Sequence, residues 1–137
     1  MGKSLIDILS DELARINAEL SEQADPPYWM AINAIDREEW GVEALDGVTT
    51  TPSYSRDRIA DFDLRVGTPE LDQTHQIRDA GWFEDDPKSV FDLPIDDDAK
   101  ATRLAVWRAA DSAYRQARKR LLKVRANLAV KVEASDT

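Results

Sequence analysis

Cysteine is absent and histidine occurs once in this chain of 137 residues. Disulfides, thiolate metal sites and thiol nucleophiles are therefore excluded, and a zinc site would need carboxylates for most of its ligands. No apolar run approaches the roughly 18 to 20 residues that cross a bilayer. Asp7, Asp11 and Glu12 follow Met1 where a signal peptide would have its apolar stretch. The expectation is a soluble, cytoplasmic protein with no membrane partner. Also missing are a Gly-rich phosphate loop, an HExxH helix and a Ser/His/Asp set in a recognisable context. On its residues alone, the chain is not a self-sufficient enzyme.

What is present is charge, unevenly divided. The formal net charge is -9, yet residues 1–99 hold 24 Asp/Glu against 8 Lys/Arg, while residues 100–131 hold 10 Lys/Arg against Asp111 alone. A basic helix lying across or beside an acidic body accounts for this division. Arg115, Arg118, Lys119, Arg120, Lys123 and Arg125 form a cluster that could attract phosphate. Overall acidity and the lack of interleaved aromatics weigh against nucleic acid as a partner, so a nucleic-acid-binding module ranks third among the readings.

The length suits one domain, 1–137, with a core sufficient for independent folding. A helix is expected over 1–24: Ser4 and Asp7 resemble a capping box, Leu5, Leu9, Leu13, Ile16 and Leu20 share a face, and Asp25-Pro26-Pro27 stops it. Antiparallel strands are expected over 27–67. Tyr28–Ile35 is apolar on both parities, as in a central strand covered on both faces. Asp36-Arg37 reads as a turn, Glu38–Leu45 as a second strand with one wet face, and Asp46-Gly47 as a tight turn or bulge. Ala60, Phe62, Leu64 and Val66 then alternate with Asp61, Asp63 and Arg65 in the cleanest strand pattern of the chain.

Residues 68–96 have no sustained period and contain four prolines or glycines, so they read as a long irregular loop anchored by Leu71, Ile77, Trp82, Phe83, Val90, Phe91 and Leu93. From 97 to 132 a long helix is expected, with Trp107, Ala110, Tyr114, Ala117, Leu121, Val124 and Leu128 as its stripe. The sum is an α+β domain: a three-stranded antiparallel meander covered by an N-terminal helix and a long C-terminal helix. At about 1.5 Å per residue the last helix would reach on the order of 50 Å, more than a domain this size needs. Tyr114, Arg118, Leu121, Val124, Arg125 and Leu128 are therefore the candidate partner-docking residues.

Three constellations deserve weighing for chemistry. Asp72, His75 and Asp79 would share a face if helical and could then offer metal ligands, but Pro69 and Gly81 bracket the stretch and a structural or exposed histidine is the better account. The tracts Glu84-Asp85-Asp86 and Asp96-Asp97-Asp98 lack the spacing of a calcium loop. Asp61 and Asp63, two apart on an exposed strand face beside Arg65, are ordinary surface residues without a cleft. No catalytic, cofactor-binding or metal residue is assigned within the chain.

Taken in order, Pro27-Tyr28, Asp63-Leu64-Arg65-Val66-Gly67, Leu71-Asp72-Gln73-Thr74-His75, Leu93-Pro94-Ile95-Asp96-Asp97-Asp98, and Trp107 with Ala113-Tyr114 resemble the N-terminal region of one group of TldD/PmbA proteins, the zinc metallopeptidases once called modulators of DNA gyrase. The resemblance spans about residues 10–133 and departs from the pattern at Gln73, where Asn is common, and in Val48–Thr51, where Ser is usual. It implies an N-terminal α+β domain followed by a large C-terminal domain with an HExxxH zinc helix, and dimers enclosing a chamber for unfolded peptides. No position here matches a zinc ligand or the catalytic glutamate. The implied role is a scaffold, assembly or substrate-admission domain, working with a TldD/PmbA-like C-terminal domain or partner subunit in a homo- or hetero-oligomer. Zinc is expected only in that domain or subunit. A stand-alone protein-binding adaptor is the alternative.

Overall fold

The computed structural model describes residues 2–77 and 89–135. Helix α1 spans Leu5–Leu20 and starts where its capping box sits: the Asp7 amide donates to Ser4 Oγ while the Ser4 amide donates to the Asp7 carboxylate. Ile16 enters the core, and Leu5, Leu9, Leu13 and Leu20 pack against it. Past Ser21 the chain reverses through Asp25, whose positive φ of 56° an aspartate tolerates better than most residues, and the two prolines then send it into strand β1.

Strand β1 runs over Pro27–Gly41 without a turn at Asp36-Arg37. It pairs along its length with β4, Ser53–Thr68, so that Asp36 lies opposite Arg58, Arg37 opposite Asp57 and Glu38 opposite Arg56. The charges that read as a turn are instead cross-strand ion pairs, which favour continued pairing. A one-residue alternation cannot reveal this, because the partner lies twenty residues away. The tip is closed by β2, Ala44–Leu45, and β3, Val48–Thr49, around Asp46 and Gly47 with φ of 51° and 78°. Two successive positive φ values are the signature of the hairpin turn whose twist matches its strands.

Strand β4 is the centre of the sheet. Its one flank is β1; its other is shared by β5, Leu71–Asp72, and β6, Ser89–Asp92, all antiparallel. The stretch read as irregular loop thus supplies the third position of the sheet, by strands too short to leave a pattern. Val90, expected as an anchor there, is exposed, whereas Leu93 is buried; Trp82 and Phe83 lie outside the described residues. β1 is correspondingly an edge strand with only Met30, Ile32 and Ala34 packed inward, while Trp29 and Ile35 face solvent. Its apolar residues on both parities do not reflect burial on both sides.

Between β5 and β6 the edge of β4 would be left bare, and a side chain fills the gap. Gln73, buried, accepts from the Val66 amide through Oε1 at 2.8 Å and donates through Nε2 to the Leu64 carbonyl. It thereby mimics one residue of a neighbouring strand. Its own carbonyl accepts from Arg120 Nε at 2.7 Å, which ties this turn to the last helix.

Helix α2, Ala99–Ser135, is 37 residues long. Asp98 caps it by accepting from the Ala101 amide at 3.0 Å. Its stripe of Thr102, Val106, Ala110, Tyr114, Ala117 and Leu121 is buried, joined by Ala109 and Val124. Trp107, expected on that stripe, is exposed. The core lies between this stripe, α1 and the row Ala60, Phe62, Leu64 and Val66. Antiparallel sheet, two flanking helices and α+β class are as the pattern implies.

Replacing Gln73 with Leu fits the volume but strands the Val66 N–H and Leu64 C=O, each costing about 1–3 kcal/mol. Urea unfolding should show that loss; a change within about 0.5 kcal/mol, the usual range for an inconsequential surface position, would mean that the amide does not hold this edge.

Candidate interaction surfaces

Helix α2 runs alongside β4 from its Arg58 end to its Gly67 end. Arg58 contacts Asp97 at 3.0 Å just before the helix begins, and Leu121 lies against Gly67. The helix then continues to Ser135, and at the other pole the β1–β4 ribbon continues past Arg58 to the hairpin tip. The fold therefore has two projections.

The docking stripe expected on α2 is largely spent inside the chain. Leu121 is 0% exposed and Val124 1%. Tyr114 is buried and its hydroxyl donates to the Ala24 carbonyl, a proton it keeps because burial raises its phenol above the ordinary value. Arg118 sits over the Tyr114 ring at 5.9 Å and 3.9 Å from Asp25, and Arg125 contacts Asp25 at 2.9 Å. Leu128 is half-buried. The strained Asp25 turn is thus a clip for α2, and Leu121 and Val124 are corrected from docking residues to interior ones. A helical stripe identifies a face to be covered but not what covers it; here the covering groups come from the chain itself.

A different face of the same helix remains open. Leu122, Ala126, Ala129 and Val130 recur at helical spacing and are exposed. Arg115, Lys119 and Lys123 flank them and are exposed too. This second stripe is short and half alanine, which is why periodicity passed over it.

The ribbon from Asp36 to Arg58 is the other projection. At its base Arg58, buried, binds Asp36 at 2.7 Å, Asp97 at 3.0 Å and the Pro94 carbonyl at 3.1 Å. Arg56 reaches Asp36 at 3.2 Å, and on the opposite face Arg37 grips Asp57 through two bonds of 2.9 and 3.0 Å. Beyond this clamp Trp40, Val42, Leu45 and Val48 are 68–70% exposed. Trp40 and Tyr54 face each other across the ribbon with ring centroids 5.4 Å apart. The strand expected here to have one wet face has two.

Of the metal candidates, Asp72 and His75 are described, and neither belongs to a group of described residues that could hold a metal ion. Asp72 is taken by the Tyr28 hydroxyl at 2.5 Å and by the Thr74 amide at 2.8 Å, and His75 is exposed in a bend rather than on a helix. Burial pushes the Asp72 carboxyl up, but the hydrogen bonds from Thr74 and Tyr28 outweigh it and hold it below the usual range. Asp79 lies outside the described residues. Among the described residues no group of three or more His, Asp or Glu is placed to hold a metal ion. A groove of about 440 Å³ between α1 and the start of α2 includes Asp11, Glu12 and Trp107, but Asp11 is bound by Lys3 and Glu12 by Arg15. Asp61 and Asp63 lie on the open sheet face, Asp63 near Arg65 at 3.7 Å. No described helix is long and apolar enough to cross a membrane.

No protein-family model, curated protein or solved structure matches this chain.

Hydrogen bonds from Arg56 and then Arg58 hold the Asp36 carboxyl below its ordinary value. A depressed carboxylate contributes stability above its unfolded pKa, about 4, and loses it as pH falls through the folded value. Amide protection in residues 37–41 and 53–57, measured against the intrinsic exchange rate at each pH, should therefore fall below about pH 4, and Asp36→Asn should bring the lower protection to neutral pH. Equal exchange in the two proteins at pH 7 would show that the arm does not depend on this clamp.

Proposed function

We propose that this chain is a non-catalytic assembly domain of a peptide-processing metalloprotease of the TldD/PmbA kind, acting in the cytoplasm beside a separate domain or subunit that brings the zinc. The observation carrying the assembly reading is the uncovered face of the sheet. There Trp29, Ile35 and Val90 are 44, 51 and 63% exposed among charged neighbours, whereas the opposite face packs against the helices. A sheet with one packed face can leave its other face wet, but aromatic and β-branched residues on that face suit a protein partner. The peptidase reading is supported by the ordered short motifs between Pro27 and Tyr114.

Affinity purification of the tagged chain from its native cells should recover a protein or linked domain bearing HExxxH, with recovery reduced by Ile35→Glu and Val90→Glu on the open face. A partner without a zinc helix supports the adaptor instead, and undiminished recovery removes the open face from the account. A second test needs no partner. The purified chain with added zinc should not hydrolyse a casein peptide; turnover abolished by a chelator and by His75→Ala would overturn the non-catalytic assignment.

A further inference from the structure

Where α1 lies beside the first turns of α2, the two helices leave a groove of about 440 Å³, in the helix layer and away from the open sheet face. A volume of this order suits a small molecule. The α2 wall is a single helix face, with Lys100, Arg103, Leu104 and Trp107 at spacings of i, i+3, i+4 and i+7. The α1 wall carries Asp11, Glu12 and Arg15.

The acids of the α1 wall are already neutralised. Glu12 is 3% exposed and both of its carboxylate oxygens accept from Arg15, while Asp11 is bound by Lys3. Lys3, by hydrogen bond and then by charge, holds the Asp11 carboxyl below its ordinary value, and Arg103 adds only the weakest pull. Lys100 and Arg103 are both exposed and make no ion pair among the described residues. The groove therefore attracts an anion, although the chain as a whole is acidic.

Beside these cations lies uncovered apolar surface. Leu104 is 48% and Trp107 41% exposed, although Trp107 stands at the α1 seam beside Ile16 and Leu20. An indole left half in water there offers a flat face to another aromatic ring. Along α2 the midpoint of Lys100 and Arg103 precedes that of Leu104 and Trp107 by four residues, roughly 6 Å at about 1.5 Å per residue. A ring joined to an anion by a short chain meets both.

We propose that the α1–α2 groove binds a small aryl-alkyl carboxylate, its ring on Trp107 and Leu104 and its carboxylate between Lys100 and Arg103. Arg103 supplies the forked donor that a carboxylate matches, and Lys100 supplies a second positive charge. A carboxylate is favoured over a phosphate because Asp96, Asp97 and Asp98 stand within about one turn of Lys100, and their field penalises a dianion more than a monoanion. The site uses neither the open sheet face nor a zinc-bearing partner, so it is tested apart from the assembly reading.

Titration of the isotope-labelled full chain with hydrocinnamate, followed by its amide and indole N–H resonances, tests this. Saturable shifts should appear at Trp107 and in residues 11–15 and 100–107, with a dissociation constant on the order of 0.1–1 mM, as suits about a dozen heavy atoms in an open groove. Lys100→Gln with Arg103→Gln alters only exposed side chains, so the fold is kept, and it should weaken binding about tenfold or more. The uncharged hydrocinnamamide should lose as much against the unaltered chain. Absence of shifts up to about 10 mM, shifts confined to other residues, equal binding of the amide, indifference to the paired replacement, or tighter binding of phenethyl phosphate would each overturn the assignment.

Discussion

Ala60, Phe62, Leu64 and Val66 form a straight apolar row about four residues deep in the middle of the sheet, and only a straight apolar rod can hide it from water. The α2 stripe from Val106 through Leu121 is that rod, with α1 wedged beside it. Each buried side chain of this kind contributes about 1.5–3 kcal/mol, so this seam supplies most of the force that holds the layers together. Everything else is attached to it. Asp98 begins the helix where Arg58 anchors Asp97, Gln73 fixes the far end through Arg120, and Asp25 clips the flank through Arg118 and Arg125.

Charge organises what the seam does not. Arginines at 37, 56 and 58 each face a carboxylate on the neighbouring strand, and together they extend pairing beyond the last core residue. Exposed ion pairs are individually weak, but here several share partners around the buried Arg58 guanidinium, and breaking one leaves its neighbour less well satisfied. The result is a stiff arm that holds Trp40 and Tyr54 away from the body. The division of acidic body and basic helix, visible as a bare count in the composition, becomes two oppositely charged surfaces at opposite poles once the chain is folded.

The carboxylates best placed to act in the described residues are already engaged: Asp72 by Tyr28 and Thr74, Glu12 by Arg15, Asp36 by Arg56 and Arg58. Asp36 and Asp72, held below the ordinary carboxylate value by these partners, are poor proton carriers near neutrality. Several of the short motifs have clear structural work: Gly67 takes a φ of 102° where the chain doubles back to Leu71, and Gln73 completes the edge of β4.

Local pattern alone determined both helices, the capping box at Ser4 and the inward row of β4, because each depends on residues a few positions apart; at Asp46-Gly47 it left a tight turn or a bulge, and the pairing of β2 with β3 decided for the turn. Tertiary structure decided the rest. That Asp36-Arg37 continues a strand depends on Arg58 and Asp57 across the ribbon; that residues 89–92 are a strand at all depends on the bare edge of β4. The face of α2 left in water followed the same logic. Periodicity marked Leu121 and Val124 as apolar, but only the arrangement of sheet, turn and helix determined that they are consumed within the chain while Leu122 and Val130 remain in water, since burial is a property of neighbours and not of spacing.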